Sequence, residues 1–235
     1  MHSHSAPADR NRVGVVVALD WETAGFIGGQ ARSPFRLEVT GPGPQAASRG
    51  AGRLVEQGVS TLLSWGTAGA LVTGLSPGDV VLASSVQADG RVFVVDACRR
   101  RLLARGLEGR HRLLDGSIVS VKHPVTTARL KSALARSGGA IAVDMESASI
   151  AAIADAAGLP FIAVRVIVDT LQHPIPGAAI AALDGADIRV MRLLAGLLKA
   201  PNQIPALIGL ARAGAAARAV LKDCARRLPA IIDKF

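Results

Sequence analysis

Tyrosine is absent from this chain, and five phenylalanines and two tryptophans are its whole aromatic complement. Single-stranded nucleic acid is held largely by bases stacking on aromatic faces, so nucleic acid is not among the expected partners. Cysteine is nearly as scarce. Cys98 and Cys224 stand far apart with no metal-ligand spacing around either, which argues against a disulfide framework and a zinc site and makes a reducing cytoplasm the expected compartment. No metal and no cofactor is expected. Apolar runs are short and bounded by Gly, Pro or charge, well below the roughly 18 to 20 residues of a membrane span. A secretory leader is not expected either: MHSHSAPADRNR is polar, and the run Val13 to Leu19 meets Asp20 and Glu22 where a cleavage site would need small residues. Acids are outnumbered, 18 against 27 Lys and Arg, for a formal charge of +9. The surplus sits in segments such as Arg99 to Arg101, Arg110 to Arg112 and Arg226-Arg227. Its ordinary reading is solvated helix faces, and its sharper one is attraction to an anionic membrane surface or a phosphate.

What is present is apolar material in quantity. Half of the 235 residues are hydrophobic, enough for one large α/β domain. Residues 1–12 read as a disordered tail, 13–200 as the domain, and 201–235 as a helical extension packed on it. Strands are expected at Val13 to Leu19, Leu37 to Thr40, Ser60 to Ser64, Asp79 to Val86, Arg91 to Val95, Ser117 to Val121, Ala140 to Val143 and Phe161 to Val168. Helical patterns fill Ala46 to Gln57, Ala97 to Arg105, Thr126 to Arg136, Met145 to Ala157, Gly177 to Lys199 and Ile204 to Arg227, with a short one at Asp20 to Ile27. This alternation predicts a three-layer α/β/α sandwich around a mixed, largely parallel twisted sheet.

Parallel sheets bind ligands at the carboxyl ends of their strands. Acids stand at three such ends: Asp20 and Glu22, Asp144 and Glu146, and Asp169. A fourth strand runs into Gly66-Thr67-Ala68-Gly69, read as a loop whose glycines let backbone N–H groups approach an oxygen or phosphate. Each has a plainer reading. Asp144 is placed to cap the next helix, Glu146 suits a helix first turn, Asp169 can cap a turn, and Glu22 alone can face solvent. Arg165, inside an apolar strand, needs a buried partner, structural or ligand.

Taken together these segments resemble the nucleoside phosphorylase and nucleosidase superfamily, most closely its 5'-methylthioadenosine/S-adenosylhomocysteine nucleosidase branch. Gly14 to Glu22 resembles the opening strand and acidic turn, Gly66 to Gly69 the Gly-Ser-Ala-Gly loop, and Pro77 to Val81 the Val-Gly-Asp turn. Val143 to Ala148 resembles the Met-Glu helix, and Val164 to Asp169 the Arg-Ala-Ile-Ser-Asp strand end. The likeness spans about residues 13 to 198. It implies an N-ribosyl hydrolase in which Asp169 is the acid at the purine, Glu146 and Met145 hold the ribose, and Glu22 activates water oriented by Thr67. Such cleavage needs an acid on the leaving-group side and a base on the water side. Burial on the apolar strand is expected to raise the pKa of Asp169.

The rivals are phosphorolysis, an ordinary methylthioadenosine nucleosidase, and a non-catalytic nucleoside-binding protein. Against phosphorolysis stands Asp20-Trp21-Glu22, whose charge repels phosphate where relatives carry arginine. Val168 in place of serine, Val121 to Pro124 without phenylalanine, and the basic terminal helix resemble a narrower group, the hopanoid-associated adenosylhopane nucleosidases. That likeness implies a lipid-linked nucleoside, an apolar groove from the ribose site, contact with the membrane periphery, and a homo-oligomer, at least a dimer.

Overall fold

The computed structural model describes residues 12–26, 33–173, 183–184, 187–188 and 204–235. Its first strand, β1 (Val13–Val17), is buried along its whole length and pairs in parallel with β2 (Phe35–Val39) and β3 (Thr61–Ala70). A strand buried on both faces has no polar face to alternate with, which is why these residues read as a β-branched run. Beyond them lie β4 (Val80–Ala88), β5 (Arg91–Val94), β6 (Leu113–Ser120), β7 (Ala142–Asp144) and β8 (Phe161–Asp169). Five of the eight pairings in this sheet are parallel, and those of β3 with β7 and of β4 with β5 and β8 are antiparallel. The fold is thus the expected mixed α/β type with a largely parallel central sheet.

One feature of the topology is not legible as alternation. β8 lies between β3 and β4, while β3 also pairs with β7, so β3, β8, β4, β6 and β7 close into a ring. Closure bends the carboxyl ends of β3, β7 and β8 toward one another, beside the end of β1. Gly69 faces both Val143 and Asp169 across its two pairings. In β8 the register skips Val168, a bulge of one residue. A bulge re-aims the side chains beside it, and here Val168 and Asp169 both line one cavity.

Helices α1 (Pro44–Glu56), α2 (Ala97–Leu107), α3 (Ala128–Gly138) and α4 (Ser147–Ala156) connect the strands, with α1 packed on β1, β2 and α4. A fifth, α5 (Ile204–Ile232), buries Ala217, Leu221, Cys224, Ala225, Leu228, Ile231 and Ile232, a stripe at helical spacing. It runs five residues past the expected end at Arg227, through Pro229. Gly25 permits its approach to the turn after β1, because a Cβ there would meet the Lys222 carbonyl at 2.5 Å. The short helix expected at Asp20 to Ile27 is a 3-10 turn, Asp20–Thr23. The helix expected over 177–199 falls largely outside the described residues. Within it Leu183–Asp184 and Asp187–Ile188 pair as short antiparallel strands, so these four residues are extended rather than helical. The tail, 1–11, is also outside the described residues.

Arg165 answers the need for a partner. It is 2% exposed and donates to the Asp144 carboxylate at 2.8 Å and to Ser64 Oγ at 2.7 Å. Asp144 also accepts from Ser120 and Ser147 hydroxyls and from the Ser147 backbone N–H at 3.2 Å, so it caps α4 while holding β8 to β7. Removing one member of a buried pair strands the other. Arg165→Met is expected to cost about 3–5 kcal/mol in urea unfolding, and a loss below about 1 kcal/mol would show that the pair carries little of the fold.

Candidate active site

A cavity of about 1070 Å³ opens where the four strand ends meet. Glu22, Thr67, Ala68, Gly69, Met145, Glu146 and Asp169 all line it, whereas Gly66 and Asp20 do not. Asp144 reaches its wall as well, with Arg165 behind it as ion-pair partner.

Glu22 is delivered by the 3-10 turn after β1 and is 2% exposed. Its Oε2 accepts from the backbone N–H of Ala18 at 3.2 Å and Leu19 at 3.0 Å, and its Oε1 from the Thr67 N–H at 2.9 Å and hydroxyl at 2.8 Å. Burial raises its pKa, while Arg165, Thr67 and the backbone donors oppose the rise. The Thr67 hydroxyl spends its proton on Glu22 and keeps oxygen lone pairs for a donor in the cavity.

Gly66 to Gly69 is not a loop. It continues β3, because pairing with β8 runs on from Gly66 to Gly69. Its glycines make room for two carboxyl side chains, one of which, Glu22, also accepts from the Thr67 backbone N–H. A Cβ on Gly66, which has φ of 152°, would sit 2.8 Å from Glu22 Oε1. One on Gly69 would sit 2.8 Å from Asp169 Oδ1. Ala68 is buried between them.

Glu146 ends the short connection from β7 to α4, and its Oε1 accepts from the Gly43 N–H at 2.8 Å. Gly43 has φ of 104°, a left-handed conformation that turns its N–H to the carboxylate at glycine's low steric cost. Met145 Cε lies 4.0 Å from the Cβ position of Gly43, so the two segments meet over the cavity. Burial, then the neighbouring Asp144, push the Glu146 carboxyl up to about 7, against the pull of Arg165. Its folded pKa is above the unfolded one, so the native state binds the extra proton between about pH 4.5 and 7 and stability falls as pH rises through that window. Glu146→Gln is expected to flatten this part of the stability profile, measured by thermal unfolding from pH 4.5 to 7.5. An unchanged slope would show that Glu146 titrates like an exposed carboxyl.

Asp169, at the bulged end of β8, is buried, and desolvation raises its pKa as expected. The pull in the other direction comes from a residue absent from the sequence reading. Lys131 on α3 is 0% exposed, forms an ion pair with the Asp169 carboxylate, and donates to the Thr170 carbonyl at 3.0 Å. Its signal was the spacing of Lys131 with Leu134 and Ala135, one face of α3 that packs on Leu71, Ala140 and Val143. On hydrophobicity alone that helix would turn outward Lys131 and inward Leu130, yet Leu130 is 54% exposed.

The far side of the cavity is α5, through Leu207, Leu210, Ala211, Gly214 and Ala215, with Arg218 and Lys222 beside them. Val121, Pro124 and Val168 add apolar wall near Asp169.

The sequence profile described as Phosphorylase superfamily matches residues 23–200. No curated protein sequence matches the chain at a significant level. Among solved structures, the 5'-methylthioadenosine/S-adenosylhomocysteine nucleosidase from Neisseria meningitidis, in complex with methylthio-immucillin-A, is similar at TM-score 0.69 and 19% identity, over 96% of this chain and 100% of that one. The Helicobacter pylori enzyme of the same name is similar at 0.67 and 18%, over 96% and 99%. Futalosine hydrolase of Helicobacter pylori gives 0.67 and 18%, over 96% and 99%.

Proposed function

The chain belongs to the phosphorylase superfamily, and from that premise and its site we propose that it is an N-glycosyl hydrolase that splits an adenosine-type nucleoside into sugar and adenine. The observation that carries this reading is three buried carboxyl groups, Glu22, Glu146 and Asp169, around one cavity. Asp169 protonates the leaving base, Glu146 holds the ribose hydroxyls against Met145, and water on the opposite side loses a proton through the Thr67 hydroxyl to Glu22. An acid and a base on opposite sides of the sugar match the demands of an oxocarbenium-like transition state. Water is favoured over phosphate because Glu22 puts a carboxylate where a phosphate dianion would need cations, and the nearby guanidinium of Arg165 is spent on Asp144.

For the substrate we favour a nucleoside with a long apolar 5' group, adenosylhopane giving ribosylhopane and adenine in hopanoid biosynthesis. Support comes from the size of the cavity, just above the roughly 300–1,000 Å³ of small-ligand pockets, and from its apolar wall on α5. The first half of α5 is largely exposed, with Ile208 at 49%, and Arg212, Arg218 and Lys222 are its charges before Asp223. An apolar helix with basic flanks suits peripheral contact with an anionic bilayer. Among the described residues no helix is long and apolar enough to cross one. Residues 13–200 and α5 would then act as one domain, in a homo-oligomer as the resemblance implies.

The test is adenine release from adenosylhopane in liposomes and from methylthioadenosine, with and without phosphate. Release from the lipid substrate without phosphate is expected. Release only from the small nucleoside would favour the methylthioadenosine reading, release only with phosphate a phosphorylase, and binding without release a nucleoside-binding protein.

A further inference from the structure

We propose that Lys131 is a positioning residue for the proton of the reaction: the Lys131–Asp169 pair, rather than the carboxyl alone, stores the proton that leaves with the base. This rests on the nucleosidase reading above. Lys131 is wholly buried, lines the cavity, and reaches from α3 to the end of β8, where it bonds the Asp169 carboxylate and the Thr170 carbonyl. Gly69 makes space for both groups, since a Cβ there would lie 2.8 Å from Asp169 Oδ1 and 3.1 Å from Lys131 Nζ. An ammonium with a carboxylate and an amine with a carboxylic acid are two forms of one neutral pair that differ only in where one proton sits. A buried site favours net neutrality, so that proton stays in the pair to higher pH than a lone carboxyl would keep it.

The electron pair of the sugar–base bond goes to the base, which takes one proton from Asp169 as Lys131 gives up its own and becomes a neutral amine. Water adds its oxygen to the sugar carbon, and its proton passes through Thr67 to Glu22. Solvent then returns a proton from Glu22 to Lys131. The other charged or titratable groups near the pair are Glu22 on the first turn, Asp144 and Glu146 after β7, Arg165 on β8, Arg218 and Lys222 on α5, and His173, whose ring nitrogen is 3.4 Å from Thr170 Oγ1.

The experiment compares wild type with Lys131→Met and Lys131→Gln in full pH profiles of base release, with melting temperature alongside. The alkaline limb of kcat is expected to move toward acid by at least about one unit, with about tenfold lower activity above it, while the acid side changes far less. A uniform loss at every pH, or an unmoved limb in folded variants, overturns the proposal. If neither variant folds, a 13C titration of the wild-type Asp169 carboxyl decides: a single step of a lone carboxyl within the pH range of activity overturns it, and a carboxyl whose protonation does not change across that range supports it. Wild type that releases base from no nucleoside defeats the nucleosidase reading instead, and the same titration still reports on the pair.

Discussion

Asp169→Asn is expected to lower kcat for adenine release by about two to four orders of magnitude at neutral pH, the usual worth of a general acid, with a much smaller change in KM. The amide has nearly the size of the carboxyl and keeps a hydrogen-bonding group at the cavity wall, so binding survives. What it lacks is a proton to give. The substitution has a second consequence, because Lys131 is buried and loses its counter-charge. A stranded buried cation costs several kcal/mol or sheds its proton, so the melting temperature should fall together with kcat. Asp169→Asn combined with Lys131→Met removes both charges. It is expected to recover most of the stability and none of the rate, which separates the chemical loss from the structural one. A single variant within about tenfold of wild-type kcat would remove Asp169 from the chemistry.

Why Asp169 was visible in the sequence and Lys131 was not follows from what each owes to the chain. Asp169 ends a nearly unbroken apolar strand, and such strands in parallel sheets carry ligands at their carboxyl ends, so the pattern alone marks the position. Glu22 and Glu146 were marked in the same way, by strands that stop at acids. The fold class was equally local, since buried runs alternating with helical segments leave few arrangements open. Lys131 depends on where α3 lands. Its burial is decided by the cluster of Leu71, Ala140 and Val143 on which this face of α3 packs, and by Gly69, sixty-two residues earlier, which makes room for its ammonium. The same holds for the closed ring, which comes from β8 pairing between β3 and β4 and leaves no periodic signature. Gly66 to Gly69 reads as a loop, though it is strand, for a related reason. Glycine signals a tight turn or a close approach, and only the neighbours tell which; here they are the carboxyl groups of Glu22 and Asp169.

Glu22→Gln is expected to abolish detectable water-dependent release and also to lower stability, for one physical reason. In the native site all four acceptor positions of the carboxylate are taken, by the N–H groups of Ala18, Leu19 and Thr67 and by the Thr67 hydroxyl. A glutamine side chain has one acceptor oxygen and two N–H donors. Whichever way the amide turns, its N–H groups face donors on one side. Thr67 can rotate its hydroxyl to accept, but the backbone donors cannot, and each N–H left unpaired in this buried site costs about 1–3 kcal/mol. Gly66 packs against this carboxyl closely enough that a Cβ there would sit 2.8 Å from Oε1. Turning the Thr67 hydroxyl round also reverses the path by which water would lose its proton, so rate and stability should fall together. Denaturant unfolding and adenine release on the same preparation test this. A variant that unfolds like wild type and keeps more than about one-tenth of its kcat would mean that Glu22 neither organises the turn after β1 nor receives the proton.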